Sequence, residues 1–104
     1  MPGAFRIRVR LFAFGWYPAH TGLPHFVYIV RCKDGSLYTG YAKDPVARVE
    51  RHNSGKGAKY TSGRRPVTLV FTQKFRSLGR ALKREHEVKQ WTRAKKETLL
   101  SASR

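Results

Sequence analysis

A short stretch near the middle of the chain predicts a tight β-hairpin, and this constrains the fold more than any other feature. Residues 26–33 are rich in aromatic and β-branched side chains, which is typical of a strand. Asp34-Gly35 follows at once, and an Asp-Gly pair favours a tight turn between two antiparallel strands. The chain then returns over residues 36–40 as a second strand. We therefore predict a hairpin from about residue 26 to residue 40.

A helix is predicted directly after the hairpin. Asp44-Pro45 is typical of a helix start, because the Asp side chain can cap the first backbone N–H groups and Pro fits the first turn. We expect this helix to place Val46 and Val49 towards the core. We also expect it to end near Ser54-Gly55, because glycine commonly follows the last helical residue.

The rest of the chain alternates between basic loop and regular structure. Residues 55–66 contain Gly, Lys, Ser, Thr and Arg, and they predict a long basic loop. Residues 67–71 predict a short apolar strand and residues 78–91 a helix. Thr92 is a suitable N-cap for a last short helix. The predicted order is hairpin, helix, strand, helix, helix.

The charge balance points to a polyanionic partner. The 104 residues include 22 Lys and Arg but only 6 Asp and Glu, which gives a net charge of +16. A charge of that size opposes compaction by self-repulsion, so it calls for a functional explanation. Nucleic acid fits best, because the cations are spread along the whole chain. An anionic membrane surface and a merely basic, ribosome-associated protein are the alternatives.

The first 25 residues differ from the rest, since they contain no acidic residue. We interpret 1–25 as a basic N-terminal arm or extension and 26–104 as the domain. The single cysteine, Cys32, excludes an intramolecular disulfide and favours a reducing compartment, the cytoplasm. No apolar run approaches the ~18 residues of a membrane span. We find no small-residue cleavage site, so we expect no signal peptide.

One carboxylate interrupts an apolar face. On a helical wheel of residues 78–91, Leu78, Ala81, Leu82 and Val88 form an apolar stripe, and Glu85 falls in its middle. An unpaired buried carboxylate is strongly disfavoured, so Glu85 must be neutralised, paired with a cation or bound to a metal. A structural Glu–Arg pair, or a Glu at the rim of the core, is the simpler interpretation. A metal ligand is the sharper one, because Mg²⁺ can bind through a single carboxylate with water completing its shell.

Four more polar residues form a set with Glu85. Arg48 and His52 are four residues apart, so they share a face of the first helix. Tyr28 and Tyr38 lie on the two strands of the predicted hairpin. Each residue alone is more typical of a structural role. Together, in a strongly basic chain, they suit phosphodiester hydrolysis, which needs a base for water, a cation on the phosphate and help for the leaving oxygen.

The basic loop is a candidate for binding nucleic acid. Its cations can neutralise phosphates, its glycines let backbone approach a phosphate, and its aromatic ring can stack on an unpaired base. A solvated, flexible basic loop is the alternative. The candidate nucleic-acid-binding residues are Lys43, Arg51, Lys56, Lys59, Tyr60, Arg64 and Arg65.

The segment from Phe26 to about residue 100 resembles the GIY-YIG nuclease superfamily. Residues 26–28 (Phe-Val-Tyr) match the first motif and residues 38–40 (Tyr-Thr-Gly) the second, followed in order by the arginine, histidine and glutamate just described. Residues 52–61 look like the short bacterial YhbQ-like branch, which is similar to the nuclease domain of Slx-type structure-specific endonucleases. Phe26 replaces a motif glycine and Thr39 a motif isoleucine, but neither position contributes a catalytic side chain.

The resemblance implies a fold, a metal and a division of roles. The implied fold is α+β, a small three-stranded antiparallel sheet flanked by helices in the order ββαβαα. One divalent metal, Mg²⁺ or Mn²⁺, is expected on Glu85, and Arg48 is expected to hold the scissile phosphate. Tyr28 and Tyr38 are expected to position or deprotonate the attacking water, with the identity of the base left open. His52 is expected to assist proton transfer or to bind phosphate.

The implied activity is hydrolysis of DNA by a metal-dependent endonuclease with a role in DNA repair. From the aromatic ring in the basic loop we expect a preference for single-stranded or branched DNA. No small-molecule cofactor and no membrane partner is expected. The alternative is a catalytically silent nucleic-acid-binding module that keeps the same fold.

Overall fold

The computed structural model describes residues 24–102 and contains a three-stranded antiparallel sheet. Strand β1 spans His25–Arg31, β2 spans Leu37–Ala42 and β3 spans Thr68–Phe75. The order across the sheet is β2-β1-β3, so the hairpin strand β1 lies in the centre. The hairpin, the antiparallel sheet and the α+β fold are confirmed. Strand β3 is longer than the predicted segment 67–71, because pairing with β1 continues as far as His25.

Within residues 24–102, four helices connect and cover the sheet. Helix α1 spans Pro45–Asn53, α2 spans Lys59–Ser62, α3 spans Leu78–Lys89 and α4 spans Arg93–Ala102. The predicted helix starts are confirmed, since the side chains of Asp44 and Thr92 each accept a bond from the backbone N–H three residues later, at 3.1 and 3.2 Å. The short helix α2 lies where we predicted only loop.

The two faces of the sheet bury two apolar clusters, because successive side chains of a strand point to opposite faces. Tyr28 and Val30 of β1 pack on one face, where Val49 of α1 joins them. Ile29 packs on the other face with Val88 of α3 and Leu100 of α4. Helix α1 therefore covers one face, and α3 and α4 cover the other.

Two expectations about buried faces need correction. Val46 and Val49 of α1 are only half-buried, and the fully buried side chain on this helix is instead His52. On α3, Ala81 and Val88 are buried as predicted, but Leu78 and Leu82 are exposed. Leu82 is exposed because neighbouring residues on a helix lie about 100° apart around its axis. Its side chain therefore points well away from that of the buried Ala81.

The predicted N-terminal arm, apart from its last two residues, lies outside the described residues. Strand β1 begins at His25, whose ring Nδ1 is 2.6 Å from the Tyr41 hydroxyl. Within the part of the chain that the structure describes, no helix combines the length and apolar character needed to cross a bilayer.

Candidate active site

A buried hydrogen bond between β1 and α1 forms the centre of the site. The Tyr28 hydroxyl lies 2.8 Å from Nε2 of His52, and the two residues are only 1% and 2% exposed. Gly40 of β2 pairs with Tyr28, and a Cβ atom at Gly40 would lie 2.5 Å from the Tyr28 hydroxyl oxygen. A glycine is therefore required opposite this ring.

Tyr38 lies on the same face of the sheet as Tyr28. It precedes Gly40 by two residues on β2, and residues two apart on a strand share a face. The Tyr38 ring meets the His52 ring edge-on, with ring centres 5.4 Å apart and planes at 69°. Both candidate tyrosines therefore contact the same histidine.

Arg48 lies one helical turn before His52 and reaches the same tyrosine. Its positive charge acts on the Tyr28 hydroxyl, and its Nη1 donates to the Tyr41 carbonyl oxygen at 3.3 Å. This bond anchors the guanidinium to β2. The remaining donors of the guanidinium are available for phosphate oxygens, because the group carries five N–H bonds.

Glu85 approaches from α3 on the opposite side of the site. Its side chain is 19% exposed, and Oε2 lies 3.3 Å from the ammonium of Lys89. That ammonium lies 5.6 Å from the centre of the Tyr38 ring, which joins Glu85 to the two tyrosines. Glu85 is therefore paired with a cation, one of the three outcomes expected from its place on the apolar stripe. Sequence analysis did not identify Lys89.

The protonation of the site is set mainly by burial. Burial, and to a smaller extent Tyr38, raises the pKa of Tyr28 to about 12, against the opposing effect of Arg48. Burial also lowers the pKa of His52, and the positive charges of Arg48 and Arg51 lower it further. Near neutral pH the site therefore holds a neutral phenol bonded to a neutral imidazole.

The residues present suit a hydrated divalent ion. Among residues 24–102, no cluster of three or more His, Cys, Asp or Glu side chains could hold a metal. Glu85 supplies the one carboxylate among the five site residues, and the ammonium of Lys89 beside it shows that a cation can be accommodated there. Mg²⁺ commonly keeps several waters and binds through one or two carboxylates together with phosphate oxygens. The donor set fits that mode of binding and not a site built from several protein ligands.

The basic segment 55–66 packs on the histidine. Thr61 is fully buried, and its Oγ1 lies 2.8 Å from Nδ1 of His52. Gly57 lies against the other side of this contact, where a Cβ atom would overlap the His52 ring. Sequence analysis assigned no role in the site to Thr61, Gly57 or Gly40. The available signals were the place of Gly40 in the second motif and that of Gly57 and Thr61 in the stretch 52–61.

Three arginines among the predicted nucleic-acid-binding residues hold this segment together. Arg51 donates to the Lys56 carbonyl oxygen at 3.2 Å, and Arg65 donates to the Ser62 carbonyl oxygen at 2.9 Å. Arg64 donates to the Tyr60 carbonyl oxygen at 2.8 Å and to Asp34 of the hairpin turn at 3.1 Å. The segment is therefore a folded connection and not a free loop. Lys43, Lys56 and Lys59 are exposed.

Tyr60 extends the aromatic contacts of the site to the surface. Its ring stacks on Tyr38, with ring centres 5.8 Å apart and planes at 25°, and the Arg64 guanidinium lies 4.0 Å from its centre. Tyr60 is nevertheless exposed. A chain of aromatic contacts therefore runs from the surface through Tyr60 and Tyr38 to His52.

Comparison with known proteins identifies the family of the chain. Residues 24–98 match the family model described as the GIY-YIG catalytic domain. A UPF0213 protein of Staphylococcus aureus (strain Mu3) is 63% identical over 76 residues, which cover 73% of this chain and 93% of that protein.

Two solved structures share the fold. A solution NMR structure of a UPF0213 protein from Bacillus halodurans is similar with a TM-score of 0.51 and 54% identity, covering 76% of this chain and 84% of that chain. A solution NMR structure of a protein from E. faecalis is similar with a TM-score of 0.54 and 44% identity, over the same fractions of the two chains. Because the family match spans most of the chain and its relatives share the fold, the chain belongs to the GIY-YIG family, whose domain is of the nuclease type.

Proposed function

We propose that the protein is a divalent-metal-dependent endonuclease that hydrolyses phosphodiester bonds in DNA. The observation that carries the proposal is the convergence of two tyrosines, an arginine, a histidine and a glutamate from β1, β2, α1 and α3. A set of purely structural residues would not need a phenol bonded to an imidazole in the interior of the domain. It would also not need a chain with a net charge of +16. A nuclease needs both a proton acceptor and a cationic surface.

The Tyr28–His52 pair supplies the proton acceptor. A tyrosine with a pKa of about 12 is a poor base alone, because its phenolate is rarely formed near neutral pH. The bond to Nε2 of His52 removes this difficulty. As Tyr28 takes a proton from the attacking water, it passes its own proton to His52, so no free phenolate accumulates. Tyr38 contacts the same histidine and positions the water.

Arg48 and Glu85 have different roles at the scissile phosphate: Arg48 binds its oxygens, and Glu85 binds the metal ion. Arg48 is anchored to β2 by one donor, and its other N–H groups bind the non-bridging oxygens of the scissile phosphate. Glu85 would hold Mg²⁺ or Mn²⁺ in place of its contact with Lys89. The bound ion would stabilise negative charge on the phosphate and on the leaving oxygen.

The decisive experiment is cleavage of labelled single-stranded, flap and duplex DNA with Mg²⁺, Mn²⁺ or EDTA. We expect cleavage with either metal and none with EDTA. Glu85→Ala should abolish cleavage and leave DNA binding largely intact. Glu87→Ala is the matched control, because Glu87 is an acid on the same helix that pairs with Arg84 at the surface. A folded wild-type protein that binds DNA and cleaves none of the substrates would instead support the silent binding module.

Single-stranded or branched DNA is the substrate that we favour, because the Tyr60 ring is exposed and an unpaired base could stack on it in place of the Arg64 guanidinium. Stacking of this kind contributes roughly 1–3 kcal/mol per base. Tyr60→Ala should weaken binding to single-stranded DNA more than to duplex, and Tyr60→Phe should bind as the wild type does. Lys59→Ala should weaken both and reduce the slope of log K against log salt by about 0.7–0.9. Equal losses on both substrates for Tyr60→Ala would exclude the stacking role.

A further inference from the structure

We propose that Thr61 is a positioning residue that fixes the tautomer of His52. In this tautomer the proton lies on Nδ1 and points at Thr61, which leaves the lone pair of Nε2 free to accept the proton of Tyr28. The consequence for turnover rests on the proposed function. The hydrogen-bonding role of Thr61 itself does not.

The first argument comes from the hydroxyl of Thr61, which carries a single proton. Its oxygen lies 2.9 Å from the carbonyl oxygen of Ala58, and a carbonyl can only accept, so the hydroxyl donates there. The same oxygen lies 2.8 Å from Nδ1 of His52. With its one proton already used, the hydroxyl accepts from the ring, and Nδ1 carries hydrogen.

The second argument comes from the other end of the ring and is independent of Thr61. The Tyr28 hydroxyl lies 2.8 Å from Nε2 of His52, and the positive charge of Arg48 acts on the same hydroxyl. A guanidinium carries only donors, so Arg48 cannot accept the phenolic proton. Of these two neighbours only Nε2 can take that proton. This places the lone pair on Nε2 and the hydrogen on Nδ1, in agreement with the first argument.

A third contact competes with this assignment, and its geometry is weaker. The backbone N–H of Ala58 approaches Nδ1 at 3.4 Å, which would require a lone pair on that nitrogen. Hydrogen bonds from N–H groups are usually 2.7–3.2 Å long, so this contact lies outside the common range. The 2.8 Å contact with Thr61 is the stronger of the two.

Because both side chains are buried, the tautomer of His52 depends on the hydroxyl of Thr61. Thr61 has no exposed surface and His52 almost none, so water cannot readily replace the hydroxyl at Nδ1. Gly57 brings the backbone against the ring and leaves no space for another side chain. Without the hydroxyl, Nδ1–H would be a buried donor lacking its partner, and the ring would gain by moving its proton to Nε2.

The test compares three residues at position 61 by NMR and by kinetics. Long-range ¹⁵N–¹H correlation spectra of protein labelled in histidine report which ring nitrogen carries hydrogen, and His52→Gln assigns the signal. We expect Nδ1–H in the wild type and in Thr61→Ser, and loss of that single tautomer in Thr61→Val. Turnover of Thr61→Val should fall at least about tenfold with DNA affinity unchanged, because proton transfer by a positioned base contributes that much or more. Thr61→Ser should restore turnover.

Thr39→Val is the matched control, since Thr39 is also buried but its hydroxyl contacts neither ring nitrogen of His52. It should keep the wild-type tautomer and turnover. The proposal is overturned if the wild type carries hydrogen on Nε2, or if a folded Thr61→Val keeps the Nδ1–H tautomer. It is also overturned if the tautomer changes while turnover does not. A wild-type protein without nuclease activity would refute the proposed function, and the spectra would still decide the hydrogen-bonding role of Thr61.

Discussion

The same substitution at two buried threonines should change stability in opposite directions. Thr39 lies on β2 with 1% of its surface exposed, and its Oγ1 has no hydrogen-bond partner among the described residues. Thr61 is equally buried, but its Oγ1 bonds both His52 and the Ala58 carbonyl. We expect Thr39→Val to raise the free energy of unfolding and Thr61→Val to lower it.

The magnitude follows from the cost of a buried polar group without a partner. Leaving a hydroxyl unsatisfied costs about 1–3 kcal/mol, and valine has nearly the shape of threonine without that group. Thr39→Val should therefore stabilise the domain by about 1 kcal/mol or more. Thr61→Val removes the hydroxyl that bonds both His52 and the Ala58 carbonyl, so it should destabilise by a similar amount. In a domain of this size each 1 kcal/mol shifts Tm by roughly 4–8 °C.

Thermal and urea unfolding of the wild type and both variants measure these differences. Equal urea slopes would show that the unfolded state has not changed, which makes the midpoints directly comparable. A Thr39→Val protein that is less stable than the wild type would refute the reasoning, because it would show that the Thr39 hydroxyl has a stabilising partner. A Thr61→Val protein as stable as the wild type would also refute the reasoning, because it would show that the Thr61 bonds to His52 and Ala58 do not stabilise the domain.

Three further outcomes are expected. Arg48→Lys keeps the charge but loses the planar fork, so turnover should fall by at least about a hundredfold with a much smaller change in affinity; a loss of affinity alone would make Arg48 a docking residue. Gly40→Ala places a methyl group against the Tyr28 hydroxyl, and displacing a reacting group by about 1 Å can cost a hundredfold, so turnover should fall in a protein that still folds. Arg31 donates two bonds of 2.9 Å to Glu97 and lowers the pKa of that carboxyl from 4.5 to about 2. Because the folded-state pKa is depressed, the contribution is present above about pH 4.5 and is lost as pH falls towards 2. Acid titration of stability should show this loss, and Glu97→Gln should flatten the curve in that range.

Local patterns predicted the elements of the fold because each depends on few neighbours. The Asp34-Gly35 turn is confirmed, with Gly35 at a φ of +88°, and so is the N-cap at Asp44. The burial of individual helix side chains could not be predicted from local patterns. It depends on where the sheet lies relative to a helix, which is why Leu82 is exposed and His52 is buried.

The candidate site was predicted as a set of residue types, and its supporting residues were not. Tyr28, His52 and Glu85 carry groups whose chemistry is visible in a sequence. Gly40 and Gly57 matter only for the space that they leave beside a ring, and that requirement arises from distant parts of the chain. Gly40 lies in the second motif and Gly57 in the stretch 52–61, but a position in a motif does not show that a ring lies beside it.

The docking of residues 55–66 on His52 has a consequence for protein engineering. The same twelve residues carry many of the candidate DNA contacts and the hydroxyl that orients the histidine. Substrate preference and turnover are therefore not independent modules, and a segment transplanted from a relative would exchange both at once. A chimera that aims to change only the preferred DNA structure should keep Gly57 and Thr61 in place and vary only the exposed positions between and after them.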